Sequence, residues 1–273
     1  MSLRHIPDSF SPPVVDAIDA RLTGVEAEHE VRIMLAIESG SRAWGFPSPD
    51  SDYDCRFVFI RPVEQYLSPW VRRDVIETPL DAVLDVNGWE LGKALKLMLK
   101  GNAVIIEWLR SPLVYRGDAG FRDDMLAFAA EFVEPDLIAR HYLHLGERQR
   151  DTYLGDGQQV GLKKIFYALR PAATLRWLRQ RPGEVIAPMH FPTVMASCEP
   201  PADVAALVDD LIARKAQTRE LGGASLPEPI RAFINTEFDL ARTAFEQRPV
   251  TLSADAVAAA EALFRRYAWY RDA

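Results

Sequence analysis

The sequence predicts an α/β fold of the α+β kind, with a small mixed sheet flanked by helices in residues 1–118 and an all-helical domain in residues 119–273. Two observations predict it. Short apolar runs rich in β-branched and aromatic residues, which are typical of buried strands, occur in the first half. The second half consists mainly of segments with apolar residues at helical spacing. A chain of 273 residues suffices for one large domain or two modest ones, and we expect a hinge near 116–119.

The first half alternates helical and extended patterns. Residues 13–29 have apolar residues at helical spacing. Residues 31–38 form an apolar run bounded by charge and predict a buried strand. Residues 53–60 predict a second strand, which ends at Arg61-Pro62 because proline cannot donate a ladder hydrogen bond. The remaining expectations are a third strand over 81–86, a helix over 88–101 with a glycine at its end, and a short helix, a Ser-Pro break and a brief extended piece over 102–115.

The second half predicts six helices. They cover residues 119–132, 135–152, 160–180, 202–220, 227–246 and 253–271. The segment 181–200 contains several prolines and is predicted to be a loop or a series of turns. Pro171 is expected to kink the helix over 160–180 or to end its first part, because proline removes a backbone donor and clashes with the preceding turn.

The composition is that of an ordinary globular protein, with 48% hydrophobic and 26% charged residues. The net charge of −7 argues against non-specific coating of nucleic acid, although it does not exclude a local basic patch. No run predicts a transmembrane helix, and the polar start lacks the apolar core of a signal peptide, so we expect a cytoplasmic protein with no membrane partner. Cys55 and Cys198 are too few for a disulfide framework and are expected to be buried.

The most informative residues are two aspartates at the start of the second predicted strand, Asp52 and Asp54. Side chains two residues apart on a strand point to the same face, so the two carboxylates are expected to project together. Adjacent carboxylates repel, and each raises the pKa of the other unless a cation lies between them. Hard oxygen ligands side by side suit Mg²⁺ and can bridge the ions of a two-metal site. The pair therefore predicts a site for two Mg²⁺ ions, with Mn²⁺ as the alternative metal.

The segment Gly40-Ser41-Arg42 follows the first predicted strand. Glycine lets the backbone approach a phosphate closely, and a turn that enters a helix presents free N–H groups to an anion. Ser41 adds a hydroxyl donor, and Arg42 adds positive charge directed toward either a triphosphate or Asp52. A plain acidic turn would explain the aspartates but not Gly40-Ser41 at this distance. A calcium loop would require glycine and glutamate where Cys55 and Arg61 stand.

Together these residues resemble the signature of the DNA polymerase β-like nucleotidyltransferases, in which an apolar strand, Gly-Ser and a short link precede Asp-x-Asp within a second strand. The blocks GSRAWGF, SPDSDYDCRF, GWELGKALKLMLKGNAVIIEWLRSPLVY and KKIFYALRPAATLRWL resemble the bacterial RlaP family of RNA repair pathway nucleotidyltransferases over residues 31–195. The resemblance implies a polymerase-β-like core that binds a nucleoside triphosphate, with ATP among the candidates, and transfers its nucleotidyl group to a hydroxyl with release of pyrophosphate.

The resemblance also implies a third catalytic and metal-binding carboxylate on a neighbouring strand, which orients or deprotonates the attacking hydroxyl. Asp85 is the first choice, because it lies in the alternating segment 81–86. Asp81 shares its face only if one strand includes both residues, and Glu90 lies just beyond the predicted strand. Both remain alternatives to Asp85.

The predicted helix over 160–180 carries a stripe of basic and aromatic side chains. The stripe contains Lys163, Tyr167, Arg170 and Thr174, with Lys164 at its edge. Alone, such a stripe is usually a solvated face. The resemblance favours nucleotide binding by Lys164, Tyr167 and Arg170, with the two cations on phosphate and the tyrosine on base or sugar.

Other candidate residues have structural interpretations. Trp44 and Phe46 are expected to pack a short helix onto the sheet, with base stacking as the alternative. Glu107 is expected to hydrogen-bond a buried backbone group or basic partner. His141 and His144 are expected at the surface or at an interface, because their spacing suits a helical metal pair poorly.

Three functions remain open from the sequence. The first is transfer of a nucleoside monophosphate to a hydroxyl acceptor, which in RNA would mean repair or end addition. The second is AMP transfer to a protein or small molecule, which the acidic net charge keeps open. The third is a catalytically silent nucleotide sensor or toxin–antitoxin partner, against which the presence of the motif carboxylates argues. The sequence specifies neither the base, nor the acceptor, nor the oligomeric state.

Overall fold

A mixed sheet in the first half carries the candidate site. The computed structural model describes residues 2–81, 83–155, 160–217, 223–245 and 249–269. The sheet has six strands in the order β1-β6-β2-β3-β5-β4. These strands are β1 (Ser2–His5), β2 (Arg32–Glu38), β3 (Tyr53–Ile60), β4 (Val75–Glu77), β5 (Leu84–Glu90) and β6 (Val114–Asp118). Two short strands in the second half, β7 (Val160–Gly161) and β8 (Gly223–Ala224), pair separately.

Helices surround this sheet and make up most of the second half. The first half contains α1 (Pro12–His29), α2 (Gly40–Trp44), α3 (Val63–Tyr66), α4 (Leu91–Leu99) and α5 (Ala103–Arg110). The second half contains α6 (Ala119–Phe132), α7 (Pro135–Tyr153), α8 (Leu162–Gln180), α9 (Phe191–Cys198), α10 (Ala202–Gln217), α11 (Glu228–Ala244) and α12 (Ala254–Ala268). The predicted fold class, a mixed α/β part followed by a helical part, is confirmed. No helix within the described ranges is long and apolar enough to cross a membrane.

Strand pairing places the two central carboxylates side by side. Strands β3 and β5 are parallel, with Asp54 opposite Asp85, whereas the other pairs of neighbouring strands are antiparallel. Asp54 and Asp85 both lie at the beginning of their strands. One end of the sheet therefore carries both carboxylates.

Each face of the sheet has its own hydrophobic cluster. On one face, α1 packs Ile18 and Leu22 against a cluster that includes Phe57 and Val86. The cluster on the other face includes Val58 and continues into the helices of the second half. The domain boundary at 118/119 stays a prediction, because one continuous core joins the residues on both sides of it.

The third strand lies later in the sequence than predicted. Residues 88–90 belong to β5 rather than to a helix, and α4 begins only at Leu91. Burial alternates along the whole of β5. Gly88 lets β5 pack closely against the Phe57 ring of β3, because a β-carbon at position 88 would lie 2.2 Å from that ring. In residues 88–90 the alternating pattern of a strand therefore decides the structure, and the helical spacing of the leucines takes effect only from Leu91.

Other boundaries also differ from the predictions. The segment 181–200 contains α9, in which Pro192 occupies the first turn, where a proline removes no helical hydrogen bond. Helix α8 does not end at Pro171 but continues to Gln180, and Pro171 packs closely against Gly146 of α7. Strands β1 and β4 and the short α3 were not predicted. The predicted helix ends at 218–220, 246 and 270–271 lie outside the described residues.

Candidate functional site

Two aspartates from adjacent parallel strands form the centre of the candidate site. Asp54 of β3 and Asp85 of β5 are register partners, and both side chains are partly exposed. Asp52 is exposed and immediately precedes β3. It contributes with Asp85 to the negative field around Asp54. The sequence-predicted carboxylates are thus brought into one neighbourhood.

A glycine, Gly40, packs against the Asp54 carboxylate. Gly40 opens α2 with a φ of +62°, which disfavours any residue with a β-carbon. A β-carbon added there would lie 2.0 Å from Asp54 Oδ2. Glycine therefore serves two purposes at this position, since it permits both the backbone angle and the approach of α2 to the carboxylate.

Ser41 and Arg42 connect α2 to the loop that leads to the aspartates. Ser41 donates through Oγ to Ser51 Oγ at 2.9 Å. Arg42 donates to the backbone carbonyls of Ser51 and Asp52, at 2.6 and 3.1 Å, and its guanidinium lies 3.8 Å from the Tyr53 ring centre. Both residues thus fix the approach to β3, and Arg42 holds the backbone of Asp52 rather than pointing freely into the site.

A buried acid, Glu38, hydrogen-bonds the backbone of Asp54. Glu38, at the end of β2, accepts a hydrogen bond from the Asp54 backbone N–H at 3.0 Å and another from the Tyr115 hydroxyl. Burial raises the pKa of Glu38 to about 8, although both hydrogen bonds oppose the rise. Sequence reasoning missed Glu38, whose only signal was an acidic residue closing an otherwise apolar strand.

The charges around Asp54 act on its pKa in opposite directions. Burial raises its pKa, and the nearby charges of Asp85 and Asp52 add to the rise, whereas Arg56 and Lys163 oppose it. Clustered carboxylate oxygens are the ligands that Mg²⁺ prefers, so the residue types fit the expected metal. Within the described ranges, however, no three His, Cys, Asp or Glu side chains are already gathered to hold one.

The two alternatives to Asp85 are engaged elsewhere. Glu90 lies at the other end of β5, about 16 Å along the strand from Asp85. Its carboxylate accepts from the Tyr66 hydroxyl and from two backbone N–H groups at the start of α4. Asp81 is exposed, forms an ion pair with Arg21 and accepts from backbone groups of its own turn. Of the three candidates, Asp85 is the one that pairs with Asp54 in the sheet.

The basic and aromatic stripe of α8 divides into residues with different surroundings. Lys164 lies over the Tyr153 ring, with Nζ 3.9 Å from its centre. Tyr167 makes an edge contact with Trp44 on α2. Lys163 is the lysine whose charge acts on Asp54. The helical spacing places Lys163 on the stripe, whereas Lys164 is the residue predicted to bind the nucleotide.

Arg170 is committed to a buried pair. Its guanidinium donates to Glu107, which also accepts from the Tyr142 hydroxyl at 2.8 Å. The guanidinium also lies 4.3 Å from the centre of the Trp44 ring. Both charged side chains are less than a tenth exposed. The predicted buried basic partner of Glu107 is therefore Arg170, and this placement favours packing over phosphate binding for the arginine.

Trp44 and Phe46, which were expected to pack a short helix onto the sheet, also contact α8 of the helical half. The Phe46 ring stacks on Phe166 of α8, with ring centres 4.4 Å apart and planes 14° from parallel. The buried Lys215 of α10 donates to the Phe46 carbonyl at 2.8 Å. The loop that joins the glycine motif to the aspartates is thus held by both halves of the chain.

The comparison that decides the family covers almost the entire chain. Residues 14–266 match the family described as the RNA repair pathway DNA polymerase beta family, RlaP. The chain belongs to the RlaP family. It is also 38% identical to the uncharacterized protein YcgL of Bacillus subtilis (strain 168) over 218 residues, which covers 80% of this chain and 83% of the relative. Membership in this polymerase-β-like family suggests a nucleotidyltransferase and implies a nucleotide substrate.

Within this RlaP chain, Arg56 is the second residue that sequence reasoning missed. It lies two residues after Asp54 on β3 and forms ion pairs with both Asp54 and Asp85. The only available signal was a cation two residues after Asp54, next to the apolar part of the strand. Its partner on β5 depends on strand pairing, which the sequence alone did not provide.

The remaining expectations concern the histidines and cysteines. His141 is half-buried beside the Tyr142 ring, and burial lowers its pKa, whereas His144 is exposed. Cys55 and Cys198 are both buried and free, as predicted.

Proposed function

We propose that this RlaP protein transfers a nucleoside monophosphate from a nucleoside triphosphate to a hydroxyl acceptor in a metal-dependent reaction. The acceptor oxygen forms a bond to the α-phosphorus, and the bond from that phosphorus to the bridging oxygen breaks. Pyrophosphate leaves, and the proton of the hydroxyl passes to a carboxylate of the site. Mg²⁺ is the proposed metal, with two ions expected and Mn²⁺ as a substitute.

One observation carries this proposal. Asp54 and Asp85 are register partners on parallel strands, and Gly40 brings the start of α2 against Asp54. The arrangement combines hard oxygen ligands, which suit a metal ion, with a glycine that lets the backbone approach a phosphate closely. Family membership supports the same reading.

The proposed roles follow from this placement. Asp52, Asp54 and Asp85 would hold the metal, which would neutralise charge on the triphosphate and on the attacking oxygen. Asp85 would also orient or deprotonate the acceptor. The backbone of Gly40 and the hydroxyl of Ser41 would contact the phosphates, while Arg42 keeps Asp52 in place.

Helix α8 would supply the other nucleotide contacts. Lys163 would pair with phosphate because its charge already acts on Asp54. Lys164 and Tyr167 would line the outer part of the nucleotide site. Arg170 would hold this part of the site in place through its contacts with Trp44 and Glu107.

RNA is the proposed acceptor, since the family description names an RNA repair pathway. The net charge of −7 limits non-specific binding, so an RNA acceptor would contact a local surface rather than the whole molecule. AMP transfer to a protein or small molecule and a silent nucleotide sensor are the competing readings, and the same experiment separates them.

The test uses each α-³²P-labelled nucleoside triphosphate with Mg²⁺, with and without a tRNA or short RNA. The variants are Asp54→Asn and the double variant Asp52→Ala/Asp54→Ala. A matched control is Glu77→Gln, which removes an exposed carboxylate of β4 that pairs with Arg73 outside the site. Label in RNA that only the aspartate variants abolish supports the proposal. Label in protein alone indicates the protein-modifying reading, and nucleotide binding without transfer indicates the sensor.

A further inference from the structure

A guanidinium lies between the two paired carboxylates of the site. Arg56 follows Asp54 by two residues on β3, so both side chains leave the same face of the strand. Arg56 Nη2 donates to Asp54 Oδ1 at 3.2 Å and to Asp85 Oδ2 at 2.6 Å. We call these contacts the Arg56 bridge. It joins β3 to β5 at the position where the two carboxylates pair.

The Arg56 bridge is also fixed to the backbone. Arg56 Nη1 donates to the carbonyl of Asp85 at 2.8 Å and to the carbonyl of Cys55 at 3.0 Å. The Arg56 side chain is only 16% exposed, whereas those of Asp54 and Asp85 are 29% and 37% exposed. The cation is therefore better shielded from water than either carboxylate, which strengthens its charge-assisted hydrogen bonds.

The bridge occupies oxygen atoms that a metal ion would need. Asp85 Oδ2 accepts from Arg56, and Asp85 Oδ1 accepts from Asn87 Nδ2 at 3.1 Å. Arginine remains protonated in proteins, so it cannot release its charge to make room for a second cation. A divalent ion bound by Asp54 and Asp85 would lie against this fixed positive charge. A metal ion that used Asp54 Oδ1 or Asp85 Oδ2 would have to displace the guanidinium.

We propose that Arg56 competes with the divalent metal for Asp54 and Asp85, and so keeps the affinity of the site for free metal low. The inference rests on the proposed nucleotidyl transfer, because it concerns the same carboxylates. A metal ion that arrives with a triphosphate brings anionic oxygens to which the displaced guanidinium can turn. Arg56 therefore favours entry of metal and nucleotide together over entry of the metal alone.

The test measures Mn²⁺ binding without nucleotide, by the loss of the free-ion electron paramagnetic resonance signal. Arg56→Gln removes the competing charge and the bridge. The expected result is an Mn²⁺ dissociation constant lower than that of the wild type by about tenfold or more, since charge-assisted hydrogen bonds no longer have to be broken. An unchanged or higher dissociation constant would overturn the proposal.

Two further variants separate the bridge from a general effect of charge. Lys163→Gln removes a charge that also acts on Asp54. Arg56→Lys keeps the charge but loses the planar fork that reaches both carboxylates. The proposal requires a larger gain for Arg56→Gln than for Lys163→Gln, and a measurable gain for Arg56→Lys. Equal gains for the two glutamine variants, with no gain for Arg56→Lys, would overturn it. If Arg56→Gln does not fold, Arg56→Lys decides by the same readout.

The Mn²⁺ dissociation constants of the Arg56 variants test the competition independently of catalysis. Tighter Mn²⁺ binding by the Arg56 variants, without any nucleotidyl transfer by the wild type, would retain the competition and remove the proposed function. Transfer by the wild type, with Mn²⁺ affinity unchanged in both Arg56 variants, would retain the function and remove the competition.

Discussion

Gly40 approaches Asp54 so closely that a β-carbon on residue 40 would lie 2.0 Å from the carboxylate oxygen Oδ2. The glycine also has a φ of +62°, in the left-handed region. The loop that opens α2 and the strand that carries the central carboxylate therefore fit each other only without a side chain at position 40.

Gly40→Ala is expected to abolish nucleotidyl transfer and to lower the free energy of unfolding. The backbone angle alone costs roughly 1–3 kcal/mol, and the clash with Asp54 adds to this. Urea denaturation measures the stability, and the labelled-nucleotide assay measures the transfer. The matched control is Gly24→Ala in α1, where a β-carbon meets nothing within 4 Å. That variant should be as stable as the wild type or more stable, and equal losses in both variants would contradict the argument.

Glu38 predicts a specific dependence of stability on pH. Burial raises its pKa from 4.5 to about 8, so between these values the folded protein keeps a proton that the unfolded chain has released. The free energy of unfolding should therefore fall as pH rises through this window, and the contribution of Glu38 should level off above it. Glu38→Gln keeps the hydrogen-bonding shape without a titrating group. Thermal melts from pH 5 to 9 should show a smaller fall for the variant, and parallel curves would show that Glu38 does not titrate in this way.

The buried Arg170–Glu107 pair predicts a large loss of stability when one partner is removed. Glu107→Ala leaves the guanidinium without its carboxylate in a buried position, and losses of about 3–5 kcal/mol are typical of such changes. Asp210→Ala is the control, since it breaks an exposed ion pair with Arg214 on α10. That change should cost less than about 1 kcal/mol. Urea denaturation of both variants distinguishes the two cases, and a small loss for Glu107→Ala would mean that the pair contributes little.

Lys163 and Lys164 should contribute differently to nucleotide binding. The charge of Lys163 acts on Asp54, whereas the ammonium of Lys164 lies against the Tyr153 ring. Lys163→Gln is therefore expected to raise the KM for the nucleoside triphosphate by about tenfold or more, because a charge-assisted contact to phosphate is lost. Lys164→Gln should raise it less. The reverse order in steady-state kinetics would assign the phosphate contact to Lys164.

The local motif could be predicted from the sequence because its parts are close together along the chain. The strand before Gly40, the pair Asp52 and Asp54, and the alternation that includes Asp85 all follow from short-range spacing. The roles of cations could not be predicted in the same way. Glu107 and Arg170 are 63 residues apart, and Arg56 meets Asp85 only because β3 pairs with β5. Strand pairing and helix packing, rather than spacing, decide which cation meets which carboxylate.

Sequence spacing also does not decide which of two adjacent helical residues faces the site. Lys163 and Lys164 differ by one position, and successive residues of an α-helix point in directions about 100° apart. The sequence predicts a basic and aromatic stripe on α8, but not the rotation of the helix relative to the sheet. That rotation depends on the packing of α8 against α7 and on the stack of Phe46 on Phe166.

The contacts of Phe46 limit how far the glycine–aspartate motif can be transplanted. Its ring stacks on Phe166, and its carbonyl accepts from the buried Lys215. A graft of residues 40–54 onto an unrelated sheet would carry Asp52 and Asp54 but would expose the aromatic face of Phe46 to water and lose the lysine that fixes the loop. Protein engineers who wish to move this motif must therefore move α8 and α10 with it, or redesign a helical surface to replace them.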